Sequence, residues 1–427
     1  MIQKAVILST GDEITTGKVI DTNANYLSDK LAELGVDLVA VITVGDVPER
    51  LEWAWRTAIE LSDVVLSTGG IGPTADDLTT ETVARLAGVK LWRDEPSVEH
   101  IKRLFASINR QMPENNLKQA LFPEGAEVIS NPLGTAPGFR MPVTLNGHTS
   151  HLIVMPGVPR EMKPMMENSV MPWIAANRGT NRVYAVRTFQ TFGISESALD
   201  EAVMGLIKPE EAKVSFRASF PQISLKIRVE GAPDEVEGRL EGLSKRVRER
   251  ISQYAYAEGE ASMEEVVAQL FTDKGLTLAI AESCTGGLIG HRLTNVAGSS
   301  KFFLGDLVTY SNDVKSALLG VSEATLKAHG AVSEDCVREM AAGARKRTGA
   351  AVSVATSGVA GPDGGTPDKP VGTVCIALSA DDQSLTRRYQ FRGTRDWIKL
   401  ITSQVALDWL RRYALGIPVA DSAVFRR

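Results

Sequence analysis

The chain has little cysteine and little histidine. Among 427 residues there are 3 cysteines, Cys284, Cys336 and Cys375, and 5 histidines. The cysteines are far apart in sequence, which excludes a zinc ribbon and a disulfide framework and fits a reducing cytosol. No apolar run approaches the roughly 18 residues that mark a membrane span. Met1 leads straight into Ala5-Val6-Ile7-Leu8, with no basic segment and long apolar stretch of a signal peptide. Positive charge is not in excess. A net charge of −5 and a pI of about 5.7 speak against broad nucleic-acid or anionic-membrane binding. There is no internal repeat and no low-complexity segment.

What is present is the composition of a soluble globular protein, 43% hydrophobic and 23% charged. At this length one core does not suffice, and two to three domains are expected. The first segment, 1–170, alternates strand and helix. Strands are expected at Ala5 to Leu8, Val36 to Thr43 and Val64 to Ser67. Helices are expected at Thr22 to Leu34, at Glu49 to Leu61 and from near Thr79. Repeated βα units imply a mostly parallel sheet with flanking helices. The segment 171–258 reads as a small α+β module, roughly β-α-β-β-α. It has strands at Arg182 to Phe192 and Ile223 to Val229, and helices at Glu196 to Leu206 and Pro233 to Ala255. The segment 259–417 returns to α/β, and Ile417 to Arg427 reads as a loose tail.

Two groups of loops carry chemistry. In the first segment, Ser9-Thr10-Gly11-Asp12-Glu13 and Thr68-Gly69-Gly70-Ile71-Gly72-Pro73-Thr74-Ala75-Asp76-Asp77-Leu78-Thr79 both follow strands. Ligands bind at such ends in open α/β sheets. The glycines let backbone approach a ligand, and a helix start near Thr79 offers N–H groups to a phosphate. Asp76 and Asp77 would repel a bare phosphate, so a bridging divalent cation is expected.

In the last segment, Ala281-Glu282-Ser283-Cys284-Thr285-Gly286-Gly287 places a hydroxyl and a thiol on a strand-to-helix turn. Such a turn can present a nucleophile and aim N–H groups around Thr285 to Gly287 at an oxyanion. Cys284 is the stronger nucleophile intrinsically, but needs a base; His291 and His329 more often have structural or surface roles. A serine can use a lysine held neutral, and Lys315 follows Tyr310 by five residues. Thr356 to Gly365, including Gly358, Ala360 and Gly361, suits phosphate or ribose contact. Arg392 and Arg395 stand at a helix start, where they can pair with a phosphate.

These motifs resemble a known family. Thr68 to Thr79 is similar to the signature of molybdopterin-binding (MoCF-like) domains, in the form found in the CinA (competence/damage-inducible protein A) family. Ser9 to Glu13 and Met155-Pro156-Gly157-Val158-Pro159-Arg160-Glu161-Met162 match that form. Glu282 to Gly287, Val308-Thr309-Tyr310-Ser311-Asn312, Gly330 to Glu334 and Gly358 to Gly365 resemble the family's C-terminal domain. The resemblance implies a bifunctional, cytoplasmic enzyme of pyridine-nucleotide salvage. Its C-terminal domain would deamidate nicotinamide mononucleotide (NMN) without a metal, with Ser283 as nucleophile, Lys315 as base, Tyr310 as a hydrogen-bonding partner and Arg395 as a charge contact. Thr285, Gly286, Gly287, Gly358, Ala360 and Gly361 would bind substrate. Its N-terminal domain would cleave ADP-ribose-type diphosphates with a divalent metal, using Asp77 first and Asp12 and Asp76 second. Thr68, Gly69, Gly70, Gly72 and Thr79 would bind the substrate. The alternatives are a molybdopterin-binding module without hydrolysis and a competence or recombination accessory. The family also implies a homodimer, and its name a recombination-protein partner; the middle module reads as a spacer, a dimer surface or a KH-like unit. The middle module lacks a clear Gly-x-x-Gly loop, and no direct nucleic-acid or membrane binding is expected.

Overall fold

The computed structural model describes residues 1–179 and 182–419. It divides into two compact units, Met1–Ala185 with Glu230–Glu237, and Val186–Val229 with Gly238–Arg427.

The first unit begins with β1 (Lys4–Thr10), α1 (Asp12–Thr15), α2 (Thr22–Leu34), β2 (Asp37–Val44), α3 (Pro48–Leu61), β3 (Val64–Thr68) and α4 (Thr79–Ala87). A two-stranded ribbon of β4 (Leu91–Arg93) and β5 (Leu121–Pro123) encloses α5 (Glu95–Ser107). Then follow β6 (Glu127–Ile129), β7 (Gly138–Leu145), β8 (His148–Met155), α6 (Pro159–Met165) and α7 (Met171–Asn177). The sheet order is β2-β1-β3-β8-β7-β6. The β2-β1-β3-β8 portion is parallel, and β7 runs antiparallel to β8 and β6.

Ala5 to Leu8 are fully buried, because helices cover both faces of β1. The start of α2 is fixed by the Asp21 side chain, which accepts from the Ala24 amide at 2.9 Å. Its end is fixed by Gly35 in the left-handed region. Between those caps Leu27, Leu31 and Leu34 recur on one face and are buried against the sheet. Leu51, Ala54, Trp55 and Ala58 of α3 bury against the opposite face. The chain leaves β1 for β2 on one side and then returns to β3 on the other. The carboxyl ends of β1 and β3 therefore open a crevice at a topological switch point.

The second unit opens with β9 (Val183–Thr191), α8 (Glu196–Val203), β10 (Lys213–Ser219), β11 (Gln222–Gly231), α9 (Val236–Ile251) and β12 (Ala255–Glu258). These strands form a sheet in the order β10-β11-β9-β12. Two expectations need correction here. The helix expected up to Ala255 ends at Ile251, and a turn with Tyr254 N–H on Ile251 O leads into β12. The charge-dense run concealed a four-residue strand. The helix expected up to Leu206 stops at Val203, where the Met204 amide caps onto Asp200 O.

The remaining elements are α10 (Met263–Asp273), β13 (Leu278–Glu282), α11 (Leu288–Thr294), β14 (Phe303–Val308), α12 (Asn312–Leu319), α13 (Glu323–His329), α14 (Glu334–Thr348), β15 (Val352–Gly358), β16 (Thr373–Ser379), β17 (Ser384–Gln390) and α15 (Arg395–Leu415). The sheet order is β14-β13-β15-β16-β17. β13 is parallel to both neighbours, while β16 and β17 are antiparallel. α10 and α15 cover one face, with Phe271, Ile398, Val405 and Trp409 in the core. α14 covers the other with Val337, Met340, Ala341 and Ala344. α15 is buried nearly all round. It tolerates Asp408 there because Arg411 at 2.7 Å and Arg412 at 2.6 Å pair with both its oxygens. Of the expected tail, residues 420–427 lie outside the described residues.

One close approach sets the position of α12. A Cβ on Gly343 of α14 would stand 1.9 Å from the Leu319 carbonyl oxygen at the end of α12. Only a bare backbone lets the two helices meet there. Gly343→Ala is expected to destabilise the second unit by about 1–3 kcal/mol through overpacking. Chemical denaturation of the purified variant checks this, and a wild-type midpoint and slope would contradict the packing.

Candidate functional site

β13 is the second unit's counterpart of β1. The chain steps from β13 to β14 on one side, then crosses back to β15 on the other. The ends of these strands form the walls of a switch-point crevice. Ser283 follows immediately after β13, and its amide donates to Thr356 O of β15 at 3.0 Å. Thr309, just past β14, donates its amide to Glu282 O at 2.8 Å. The sheet ladder thus carries on to the residues of the site.

Lys315 lies in the first turns of α12, whose start is capped by the Ser311 side chain. It points inward and is 1% exposed. Its Nζ lies 3.2 Å from Ser283 Oγ, 2.9 Å from Thr309 O and 3.1 Å from Tyr310 O. Burial pushes the Lys315 amine below the ordinary lysine range, while Cys336 and Cys284 oppose that shift. A neutral amine has two hydrogens and one lone pair. In that form the two carbonyls would take the two hydrogens and the lone pair would face the Ser283 hydroxyl, whereas an ammonium would donate to all three oxygens.

The surrounding cavity has a volume of about 230 Å³, and Ser283, Cys284, Tyr310, Lys315, Gly358, Ala360 and Arg395 line it. Arg395 opens α15 and donates to Gly361 O at 2.8 Å and to the Tyr310 hydroxyl at 3.1 Å. Tyr310 is largely exposed at the mouth, so it holds Arg395 rather than reaching Ser283. Gly358 is required by space, since a Cβ there would lie 2.7 Å from Thr373 O. Cys284 is buried, and burial, helped by the Glu282 charge, pushes its thiol up to about 12. His291, His329 and Arg392 do not line the cavity.

The turn after Ser283 departs in detail from the sequence reading. Gly286 N–H donates to Ser283 O at 3.1 Å, and Gly287 N–H donates to Glu282 Oε2 at 2.9 Å. Those two amides are therefore not free for an oxyanion. The Cys284 and Thr285 amides have no backbone acceptor among the described residues. The Thr285 hydroxyl is 2.8 Å from the Thr356 hydroxyl and supports the turn from beneath. Sequence reasoning missed Asn312, Ala331, Val332 and Ser357, which also line the cavity. It also missed Lys399, whose Nζ would be 3.9 Å from a Cβ on Gly286. Asn312 and Ser357 stood inside quoted motifs, but only the fold turns them toward Ser283.

In the first unit a cleft of about 590 Å³ lies at the ends of β1 and β3, lined by Thr10, Asn23, Thr68, Gly69, Gly70, Gly72, Asp76 and Asp77 among others. A Cβ on Gly69 would lie 2.5 Å from Thr10 O, and one on Gly70 would lie 2.1 Å from Thr79 Oγ1. Both have positive φ, so the loop needs glycine twice over. Thr79 fixes the loop, donating its amide to Gly70 O and its hydroxyl to Gly69 O. Across the cleft the Asn23 side-chain amide donates to Gly157 O at 2.7 Å, and its buried Oδ1 has no partner.

The acids are differently placed. Asp77 Oδ2 accepts from the Thr74 amide at 2.9 Å and the Thr74 hydroxyl at 2.6 Å. Asp76 bonds the same hydroxyl. Asp12 does not line the cleft. It exchanges backbone-to-carboxylate bonds with Asp46, which does. Asp46 is raised above the usual carboxylate range by burial, opposed by the Asp12 amide and assisted by the charges of Asp12, Glu13 and Asp76. Among the described residues no three acids or other metal-binding side chains converge on one point. The residues present do not fit a pre-assembled divalent-cation site.

Three family models match successive parts of the chain. Residues 6–176 match a probable molybdopterin binding domain, residues 186–257 the KH domain of damage-inducible protein CinA, and residues 260–414 the CinA C-terminal domain. A CinA-like protein of Geotalea uraniireducens is 41% identical over 98% of this chain and 99% of its own length. One of Dictyoglomus turgidum is 42% identical over 96% and 99%. A solved structure, competence/damage inducible protein CihA from Agrobacterium tumefaciens, is 41% identical and spans 37% of this chain and 97% of that one, with a TM-score of 0.35. Likeness of 41–42% identity over nearly the whole of both chains makes this chain a member of the CinA family.

Proposed function

We propose that the second unit is an amidase that deamidates NMN to nicotinic acid mononucleotide and ammonia. The observation that carries the reading is the buried Lys315 amine 3.2 Å from Ser283 Oγ, with its hydrogens directed to two carbonyls. Ser283 attacks the carboxamide carbon while Lys315 takes the hydroxyl proton. The carbon–nitrogen bond then breaks, and Lys315 returns that proton to the departing ammonia. Water enters, gives a proton to Lys315 and attacks the ester, releasing the carboxylic acid and restoring Ser283. The Cys284 and Thr285 amides hold the developing oxyanion. One such donor is typically worth about 100- to 1000-fold in rate. Arg395, braced by Tyr310 and Gly361, faces the substrate's negative charge. The choice of serine over cysteine follows from burial: a thiol held near 12 supplies almost no thiolate at neutral pH.

For the first unit we propose cleavage of ADP-ribose-type diphosphates. The reading is supported by the switch-point cleft, the two-glycine cradle and the unpartnered Asn23 oxygen. The divalent cation expected for this chemistry belongs to the proposal; with no pre-assembled set of acids among the described residues, Asp77, held by Thr74, would offer it one carboxylate and the diphosphate's own oxygens would have to supply the rest. The competing use of the same cleft is pterin binding, which the matched domain's description favours. Cytoplasmic location, homodimerisation and a recombination-protein partner remain proposals that follow from family membership; no described helix is long and apolar enough to cross a membrane.

Ser283→Ala is expected to abolish ammonia release from NMN. Lys315→Ala should lower kcat about 100- to 10,000-fold, the usual worth of a general base. The base must be neutral, so activity should rise with pH through Lys315's depressed value. Coupled ammonia assays from acid to neutral pH check this, and retained activity in Ser283→Ala would sink the reading. In the first unit, Asp77→Asn should remove metal-dependent ADP-ribose turnover while sparing NMN deamidation. Loss of both activities would contradict independent sites, and pterin co-purifying with an inactive cleft would favour the binding reading.

A further inference from the structure

Beneath the Ser283 turn lies a second pair of buried groups that the chemistry above does not use. Glu282, the last residue of β13, is 0% exposed. Its Oε2 accepts from Gly287 N–H at 2.9 Å and its Oε1 from Gly290 N–H at 2.9 Å. One carboxylate thus ties the end of the strand to the far end of the turn and to the first turn of α11. Asp306 of β14 meets it there. The strand register pairs Ile280 with Asp306 and Glu282 with Val308, so Asp306 is the diagonal neighbour of Glu282 on the same face of the sheet. Its Oδ2 occupies the space a Cβ on Gly290 would need, at 2.5 Å, and it is hydrogen-bonded to Glu282. Its Oδ1 is buried without any partner.

Two carboxyl groups in hydrogen-bond contact cannot both be ionised in a dry site; one must carry a proton. Glu282 already accepts from two N–H donors. Asp306 receives none, so the proton resides on Asp306 and is donated to Glu282. Resting on the serine reading above, we propose that Asp306 is a positioning residue: its carboxyl proton holds Glu282 against the Gly287 and Gly290 amides and so fixes the Ser283 turn in its reactive geometry. Burial first, and the Glu282 charge second, push the Asp306 carboxyl up to about 8. From β13 the group facing it is Glu282, and from α11 it is the Gly290 backbone. No further charged side chain contributes to its shift.

The sign follows from a carboxyl whose value is raised on folding. Its contribution is present in full below the ordinary carboxylate range and is lost as pH rises through about 8. Above that point two negative charges face each other and the staple loosens. Deprotonation of Asp306 should therefore slow Ser283 as pH rises, opposite in sign to Lys315, whose loss of a proton should speed it.

The test uses the whole chain and a fluorophosphonate, whose phosphorus an activated serine attacks, forming a phosphonate ester and expelling fluoride, without any nucleotide recognition. The wild-type labelling rate at Ser283 should fall about tenfold from its neutral plateau one pH unit above the Asp306 value. Asp306→Asn, which keeps a hydrogen donor to Glu282 but cannot ionise, should lose that alkaline fall, while Asp306→Ala should label about tenfold more slowly even at neutral pH. Thermal melting adds a readout without chemistry: Asp306→Asn should gain on wild type as pH rises from acid through 8. A merely structural role would not move the alkaline limb of the labelling rate. The same alkaline limb in wild type and Asp306→Asn, or melting curves that stay parallel with pH, would overturn the proposal. Labelling that behaves as expected without NMN turnover would instead sink the substrate assignment and leave the positioning role standing.

Discussion

The second unit depends on one amine kept dry. Lys315 is buried to 1% exposure, yet its nitrogen has three oxygen neighbours and no carboxylate among its hydrogen-bond partners. A carboxylate there would have stabilised the ammonium and removed the base. Two carbonyls and a hydroxyl leave the amine without a counter-charge, and burial lowers its affinity for the proton. The helix that delivers the amine is set by its capping serine, Ser311, and by the bare backbone of Gly343. Packing therefore reaches the chemistry through α12.

The two units solve one problem in the same way. Each places a central parallel strand between neighbours reached by crossovers in opposite directions. The loops at that strand's carboxyl end then face an open crevice. In the first unit the crevice is wide, glycine-lined and edged with acids; in the second it is smaller. At the acid-rich edge burial, with the charges of Asp12, Glu13 and Asp76, raises Asp46, whereas the small site has its carboxylates behind the turn.

How much of this was legible in the sequence differs by element. The α2 helix was readable to the residue, because Asp21, Gly35 and the leucine spacing are local signals. β12 was not, since four residues after a charged helix carry too little periodicity. The pairing of Ser283 with Lys315 spans 32 residues and is made by the β13–β14 ladder. No spacing rule encodes it, and the family resemblance supplied it. The Gly287 amide, expected free on the sequence reading, is captured by Glu282, a contact that depends on side-chain direction at a strand end. Asp306 gave no signal at all: an isolated aspartate in a strand acquires meaning only through its register with Glu282. Asp46, in the loop after β2, lines the first cleft beside Thr10, Gly11 and Glu13 of the motif, whereas Asp12 is held by its bonds with Asp46.

The claim on which the catalytic account stands is that Lys315 is neutral where the enzyme works. Its titration can be followed directly by carbon-13 NMR of lysine ε-carbons, with Lys315→Arg used to assign the signal. The account requires one lysine to titrate well below the ordinary lysine range, near 10.4, and that signal to vanish in the variant. A Lys315 resonance titrating with the surface lysines would contradict it.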